Sequence, residues 1–322
     1  MQRRTSFIAI AFAICGLTVA LPAAVAQTYP SQPVKLVVPF PPGSATDNIA
    51  RILAKELQDD LGQPFVIDNR PGAQAMVGTD FVARSTPDGY TLLVAAVSFA
   101  ATPSMFRKVP FDPVADFVPV SRIATTPLAL MVKPEFPART PREFVEYAKT
   151  QPGKLSAGYG SSSSQVCIAQ LESLANLDVL EVPYKGIPLA VNDVLAGTLH
   201  FTFVDLGNAI AQSKGGRLRA IGVTSQKRNP LVPDWPALAE TLPGFDIDAW
   251  LATLGPKGLP EAIALRLHEA TVRALAKPDV QARLAAQGFT PSLLGPVDSV
   301  PFIKSEVQKW AKLTKQAGIQ PE

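Results

Sequence analysis

Hydrophobic and polar positions along this chain alternate between two periods. Short β-branched runs, each the length of a buried strand, are followed by segments whose apolar residues recur every three or four positions. Val34–Val38 is the first such run. From Asp47 to Leu61 the residues Ile49, Leu53, Leu57 and Leu61 stand at four-residue spacing, with Gly62 as a stop, and predict a helix. Phe65–Ile67 reads as a second strand, Val77–Arg84 as a helix, and Thr91–Val97 as a strand that follows the Pro87-Asp88-Gly89 turn.

The same grammar resumes further on. Leu128–Val132, Leu155–Tyr159, Val179–Val182, His200–Val204 and Leu218–Val223 read as strands, with helices over Pro141–Thr150 and Gln165–Ala175. The C-terminal part reads as mainly helical, lined by Ile263, Leu267 and Ala270, then Val280 and Leu284, then Ile303, Val307 and Trp310. Strand and helix in alternation predict an α/β fold with mostly parallel strands. No low-complexity linker divides the chain, and the proline-rich stretches 117–127 and 225–243 are the candidate crossings between two α/β lobes. One lobe would comprise residues 27–124 and 225–322, the other residues 125–224.

Residues 1–26 follow neither period. Arg3 and Arg4 precede an almost wholly apolar run from Phe7 to Leu21, and Ala24-Val25-Ala26 supplies a small-x-small cleavage pattern. This is the pattern of a cleavable secretory signal peptide cut after Ala26. The run is shorter than the roughly 20 residues of a membrane anchor. Export changes two counts. The chain has 30 basic and 27 acidic residues, so losing Arg3 and Arg4 brings the balance close to zero. With no Lys/Arg run anywhere, a nucleic-acid partner is not expected. Cys15 leaves as well, so Cys167 becomes the sole thiol and no intramolecular disulfide can form; its apolar helical setting marks it as a small buried hydrophobe.

Two loops carry the candidate chemistry. Pro39-Phe40-Pro41-Pro42-Gly43-Ser44-Ala45-Thr46-Asp47 joins a strand to a helix, where open α/β sheets bind ligands. Its small residues allow close approach to the backbone. The unpaired amides of the first helical turn, at the positive end of the helix dipole, suit a carboxylate. Thr46 or Asp47 can also serve simply as a helix cap. Gly158-Tyr159-Gly160-Ser161-Ser162-Ser163-Ser164 repeats the arrangement in the other lobe. Facing each other, the two loops would grip a dicarboxylate or an amino acid like jaws, and the expected ligand is a small carboxylate: a di- or tricarboxylate, an amino acid or an aromatic acid. Ser98 and Asp205, each just after a strand, and Lys185 are lesser candidates.

An enzyme is not expected. His200 and His268 are the only imidazoles and both fall in apolar surroundings; no His-x-x-x-His, Cys-x-x-Cys, Gly-x-Ser-x-Gly or Gly-x-Gly-x-x-Gly pattern occurs where a site would need it. No metal or cofactor is expected either.

Several motifs together carry a resemblance. Tyr29-Pro30-Ser31-Gln32-Pro33-Val34, Val38-Pro39-Phe40-Pro41-Pro42-Gly43, Asn69-Arg70-Pro71-Gly72-Ala73, Pro87-Asp88-Gly89-Tyr90-Thr91, Val182-Pro183-Tyr184-Lys185-Gly186 and Leu218-Arg219-Ala220-Ile221-Gly222 resemble the Bug family. These are substrate-binding receptors of tripartite tricarboxylate transporters, and the resemblance spans essentially the whole exported chain. It implies a two-lobed, type II periplasmic-binding-protein fold of Venus-flytrap architecture that closes on its ligand. The expected partners are the small carboxylate and membrane transporter subunits, and a monomer in the periplasm is expected. By position it implies a ligand carboxylate held by Phe40, Gly43, Ser44, Ala45, Thr46 and Asp47 on one jaw and Ser161, Ser162 and Ser163 on the other. Ser98 and Asp205 would lie nearby. The chain departs from the family at Ser44, where glycine is usual, at Gln165, near a usual histidine, and at Ile187, where glycine is usual. A receptor read by a sensor kinase, and a periplasmic hydrolase, are the rival readings.

Overall fold

A computed structural model describes residues 29–316 and 318–321; the expected signal peptide lies outside them. In chain order the elements are β1 (Val34–Val38), α1 (Ala45–Leu61), β2 (Phe65–Asn69), α2 (Met76–Ala83), β3 (Thr91–Ala96) and α3 (Ser98–Met105). Then follow β4 (Phe117–Val132), α4 (Pro141–Lys149), β5 (Leu155–Tyr159), α5 (Ser162–Ala175), β6 (Val179–Pro183), α6 (Ile187–Ala196), β7 (Phe201–Asp205), α7 (Leu206–Lys214) and β8 (Arg219–Val223). The chain ends with β9 (Asp248–Pro256), α8 (Glu261–Leu275), α9 (Pro278–Ala286), β10 (Thr290–Leu294) and α10 (Pro296–Gln316).

The strands form one sheet in the order β2-β1-β3-β9-β4-β7-β5-β6, with β8 and β10 also paired to β4. The expectation of mostly parallel strands needs correcting. Strands β1, β2 and β3 are parallel, as are β5, β6 and β7, but every pairing made by β4 and β9 is antiparallel. The segment 117–127, expected as an irregular crossing, is the first part of the 16-residue strand β4. A register shift directly follows Pro119, before Ser121, and a second falls between Arg122 and Ala124, while Pro127 pairs in register with Asp248 at the very start of β9. The crossing is thus itself a strand: residues 117–127 pair with β9 in one half of the sheet, and 128–132 pair with β7 in the other.

The two faces of this sheet are packed differently. On one face a single cluster draws Val37, Leu93 and Phe117 from the first half and Leu130, Phe201 and Phe203 from the second, sealed by Trp310 of α10. On the other face, one residue over on the same strands, Leu36, Val38 and Ile123 pack beneath α1 and α8, while Ala129, Met131 and Val204 pack beneath α6 and α7 in a separate cluster. The four-residue stripe of α1 is buried as its spacing required, with Ile49, Leu53 and Leu57 each at most 2% exposed. Each contributes on the order of 1.5–3 kcal/mol of burial. Cys167 is a free, buried thiol inside the continuous cluster, and burial pushes its ionisation well above the usual thiol range.

Candidate functional site

The parallel strands of the two halves aim their C-terminal ends at a common space. Residues just past β1, β3, β5, β6 and β7 line one cavity of about 200 Å³, the position that open α/β sheets offer to ligands. Phe40, Gly43, Ser44, Ala45 and Thr46 contribute one wall, and Ser161, Ser162 and Ser163 another, with Ser98 and Asp205 between them. The structure therefore gathers ten of the sequence-predicted residues around one space. Asp47 stands apart: it is 1% exposed and does not line the cavity.

Asp47 instead builds the first loop. One carboxylate oxygen accepts from the Gly43 amide and from Arg51 Nε, both at 2.9 Å, and the other accepts from Asn69 Nδ2 at 2.9 Å. Asn69 Nδ2 also donates to the Phe40 carbonyl at 3.0 Å, tying the loop to the end of β2. Burial would push the Asp47 carboxyl up, but Arg51, the Gly43 amide and Asn69 outweigh it and hold the group below the usual carboxylate range. Gly43 sits at φ +80°, a left-handed conformation that strains any residue with a Cβ. Ser44 caps α1 by accepting from the Asp47 amide at 3.2 Å. The amides of Ala45 and Thr46, both on the cavity wall, are left without an intrahelical partner.

The second loop reaches the same end with hydroxyls. Ser164 Oγ accepts from the amides of Gly160 and Ser161, each at 3.1 Å, and Ser161 Oγ caps the Ser164 amide at 3.2 Å. This reciprocal box leaves the Ser162 and Ser163 amides at the cavity without an intrahelical partner. A Cβ at Gly160 would come within 2.2 Å of the Gly186 backbone, so only glycine allows this loop to pack on the start of α6. The Ser162 hydroxyl is spent elsewhere: it donates to Gln74 Oε1 of the first half at 2.5 Å. Gln74 belongs to a run in which Ala73, Gln74 and Ala75 all have positive φ, a backbone these residue types rarely adopt.

Between the jaws, the Ser98 hydroxyl is buried, lines the cavity and has no protein partner among the described residues. The Asp205 carboxylate caps α7, accepting from the Asn208 amide at 3.2 Å and from Asn208 Nδ2 at 2.8 Å. Burial raises its pKa, and the bonds from Asn208 only partly offset that. Lys185 is the one cation among the described lining residues. Neither histidine lines the cavity. His200 Nδ1 pairs with Ser156 at 2.9 Å and His268 Nδ1 with Ser121 at 3.0 Å, both off the cavity wall. Among the described residues no cluster of three metal-ligating side chains occurs, and no helix is long and apolar enough to cross a membrane.

Several lining residues were not anticipated from the sequence. Trp250 and Leu251 come from β9, Phe289 from the turn before β10, and Pro188 from the start of α6, beside Ile187, one of the departures named from the sequence. Each lies in an apolar run or turn whose pattern reports burial but not the space that it faces.

Residues 49–319 match the tripartite tricarboxylate transporter family receptor, TctC. The chain belongs to this receptor family. Among solved structures, the R. palustris protein Rpa4515 with adipate is 30% identical with a TM-score of 0.87, covering 91% of this chain and 100% of its own. The periplasmic binding protein BugD is 32% identical with a TM-score of 0.85, covering 91% of this chain and 100% of its own. MatC from Rhodopseudomonas palustris, with bound malate, is 30% identical with a TM-score of 0.81 over 88% of this chain and 99% of its own. The α/β fold is that of the periplasmic solute-binding receptors, and the Bug resemblance read from the motifs holds.

Proposed function

We propose that this receptor captures a small carboxylate in the periplasm and hands it to a tripartite tricarboxylate-type membrane transporter, without catalysis. The observation that carries this reading is the convergence on one cavity of two helix starts, at Ala45 with Thr46 and at Ser162 with Ser163, whose first-turn amides have no intrahelical acceptor. Each pair stands at a positive helix end, where a carboxylate gains charge-assisted hydrogen bonds. The adipate and malate of the two solved relatives support the ligand class. On this reading Phe40, Gly43, Ser44, Ala45, Thr46, Ser98, Ser161, Ser162, Ser163 and Asp205 contact ligand or its waters, and Asp47 positions the first jaw. Residues 1–26 are the export signal, residues 27–124 with 225–322 and residues 125–224 are the lobes, and the exported chain works as a monomer.

A thermal-shift screen of the purified protein tests it. At a ligand concentration 100 times Kd, binding stabilises the native state by about 2.7 kcal/mol, so the melting temperature should climb with concentration for a carboxylate and not for its amide. Tight ligands that all lacked a carboxylate would sink the reading.

A further inference from the structure

The polar half of the cavity prepares for an acid; its remaining wall describes the rest of the ligand. Trp250 lines the cavity and is 2% exposed. Its indole N–H is already used, donating to Glu306 Oε2 of α10 at 2.7 Å, and Trp310 Nε1 donates to the same oxygen at 3.1 Å. Phe302 packs edge-on against the Trp250 ring, with centroids 5.3 Å apart and planes at 72°, and Arg122 sits over Phe302 at 4.6 Å. The ring is held by these contacts, and with its only polar atom bonded to Glu306 the indole has only carbon left for whatever lies in the cavity. Phe40, Val97, Leu251 and Phe289 extend that apolar wall.

The charges point the same way. Lys185 is the single cation on the wall and Asp205 stands against it, with no arginine present among the described lining residues. A second carboxylate or a hydroxyl laid on the indole would lose its water and find no partner. At about 200 Å³ the space is below the roughly 300–1,000 Å³ of sites for drug-sized ligands, so the body is small.

We infer that the ligand is a small acid with an apolar body, an aromatic ring or short alkyl chain, laid against Trp250, and that Glu306 is the positioning residue that fixes this indole. The inference rests on the carboxylate-receptor reading and narrows it.

The test is calorimetric titration of the purified protein with benzoate, hexanoate, malate and citrate, with tryptophan emission followed in parallel. Benzoate or hexanoate should bind at least about tenfold more tightly than malate and citrate and should change the emission. Trp250→Ala should abolish that preference, so that benzoate and hexanoate bind no more tightly than malate. Glu306→Leu should reproduce the lost preference and shift the emission, and Glu306→Gln, which retains an acceptor, should restore both. If Glu306→Leu does not fold, Trp250→Phe decides: it keeps a ring but has no N–H to bond, and an undiminished preference would overturn the role given to Glu306. Tighter binding of malate or citrate overturns the apolar-body inference while leaving the carboxylate reading in place. A preference that survives Trp250→Ala overturns the role of Trp250. Failure of all four acids to bind, together with a flat thermal screen, overturns the receptor reading itself.

Discussion

The two candidate jaws each bring the start of a helix to the cavity, but they are braced by different chemistry. The first is braced by one buried charge: Asp47 gathers the Gly43 amide, Arg51 and Asn69 onto a single carboxylate. The second is braced by neutral hydroxyls, with Ser164 and Ser161 satisfying the loop amides between them. An anion site needs donors held in place. A charged brace holds them more strongly but depends on pH, and it sets a negative group behind the site; a hydroxyl brace avoids both at the expense of weaker individual bonds.

The strongest way to break this comparison is Asp47→Ala. It leaves the Gly43 amide and the Asn69 side chain without their acceptor, which costs about 1–3 kcal/mol. The half-exposed Arg51 adds little. Chemical denaturation should show that loss, and carboxylate affinity should fall by at least about tenfold. The sign with pH follows from the depressed pKa: the contribution is complete above the unfolded value and disappears as pH falls through the lower folded one. Asp47→Asn and the parent protein should therefore converge in stability only in acid. Parent-like binding by Asp47→Ala would show that the first jaw needs no charged brace.

Ser164→Ala should have a smaller effect, about 1 kcal/mol, with a several-fold loss of affinity. Because serine does not titrate, the difference from the parent should stay constant between about pH 4 and 8, and a pH-dependent difference would argue against a neutral brace.

The smallest effect concerns β6, beside the strand that carries the second jaw. Burial, then the neighbouring Glu172, push the Glu181 carboxyl up from 4.5 to about 7. The native state thus keeps a proton that the unfolded chain releases, so stability falls as pH rises from about 4.5 to about 7. Glu181→Gln should be close to neutral at about pH 5 and stabilising at about pH 8, where the parent must ionise a half-buried acid beside another. Equal melting-temperature differences at both values would refute this account. Acid then acts oppositely on the two halves, loosening the brace at Asp47 and relieving the strain at Glu181.

Much of this site could be read in the chain. Glycine, proline and serine concentrated between a strand and a helix mark both jaws, because few other reasons place them there. What side chains do inside such a loop was less legible: Asp47 was expected at the ligand and instead turns back to the backbone. Trp250 and Phe289 were missed because they reach the cavity through pairings far along the chain, of β9 with β3 and β4 and of β10 with β4. The continuous apolar run of β9 has no alternation, as befits a strand covered on both faces. Residues 117–127 misled in the opposite direction, since Pro119 and Pro127 suggest a loop, yet a register shift beside Pro119 and the place of Pro127 opposite the end residue Asp248 of β9 let the strand run through.

A sheet glued along its whole length on one face and in two separate patches on the other does not bend equally in both directions. On the patched face the two clusters are separate and the halves meet through the close backbone packing of Gly207 on Gln287 and Gly288, while the shared face holds the continuous bed of Phe117, Phe201, Phe203 and Trp310. Parting the halves on the shared face would tear that bed open. The packing ties the two halves of the sheet together like a bound book, with its spine on the shared face.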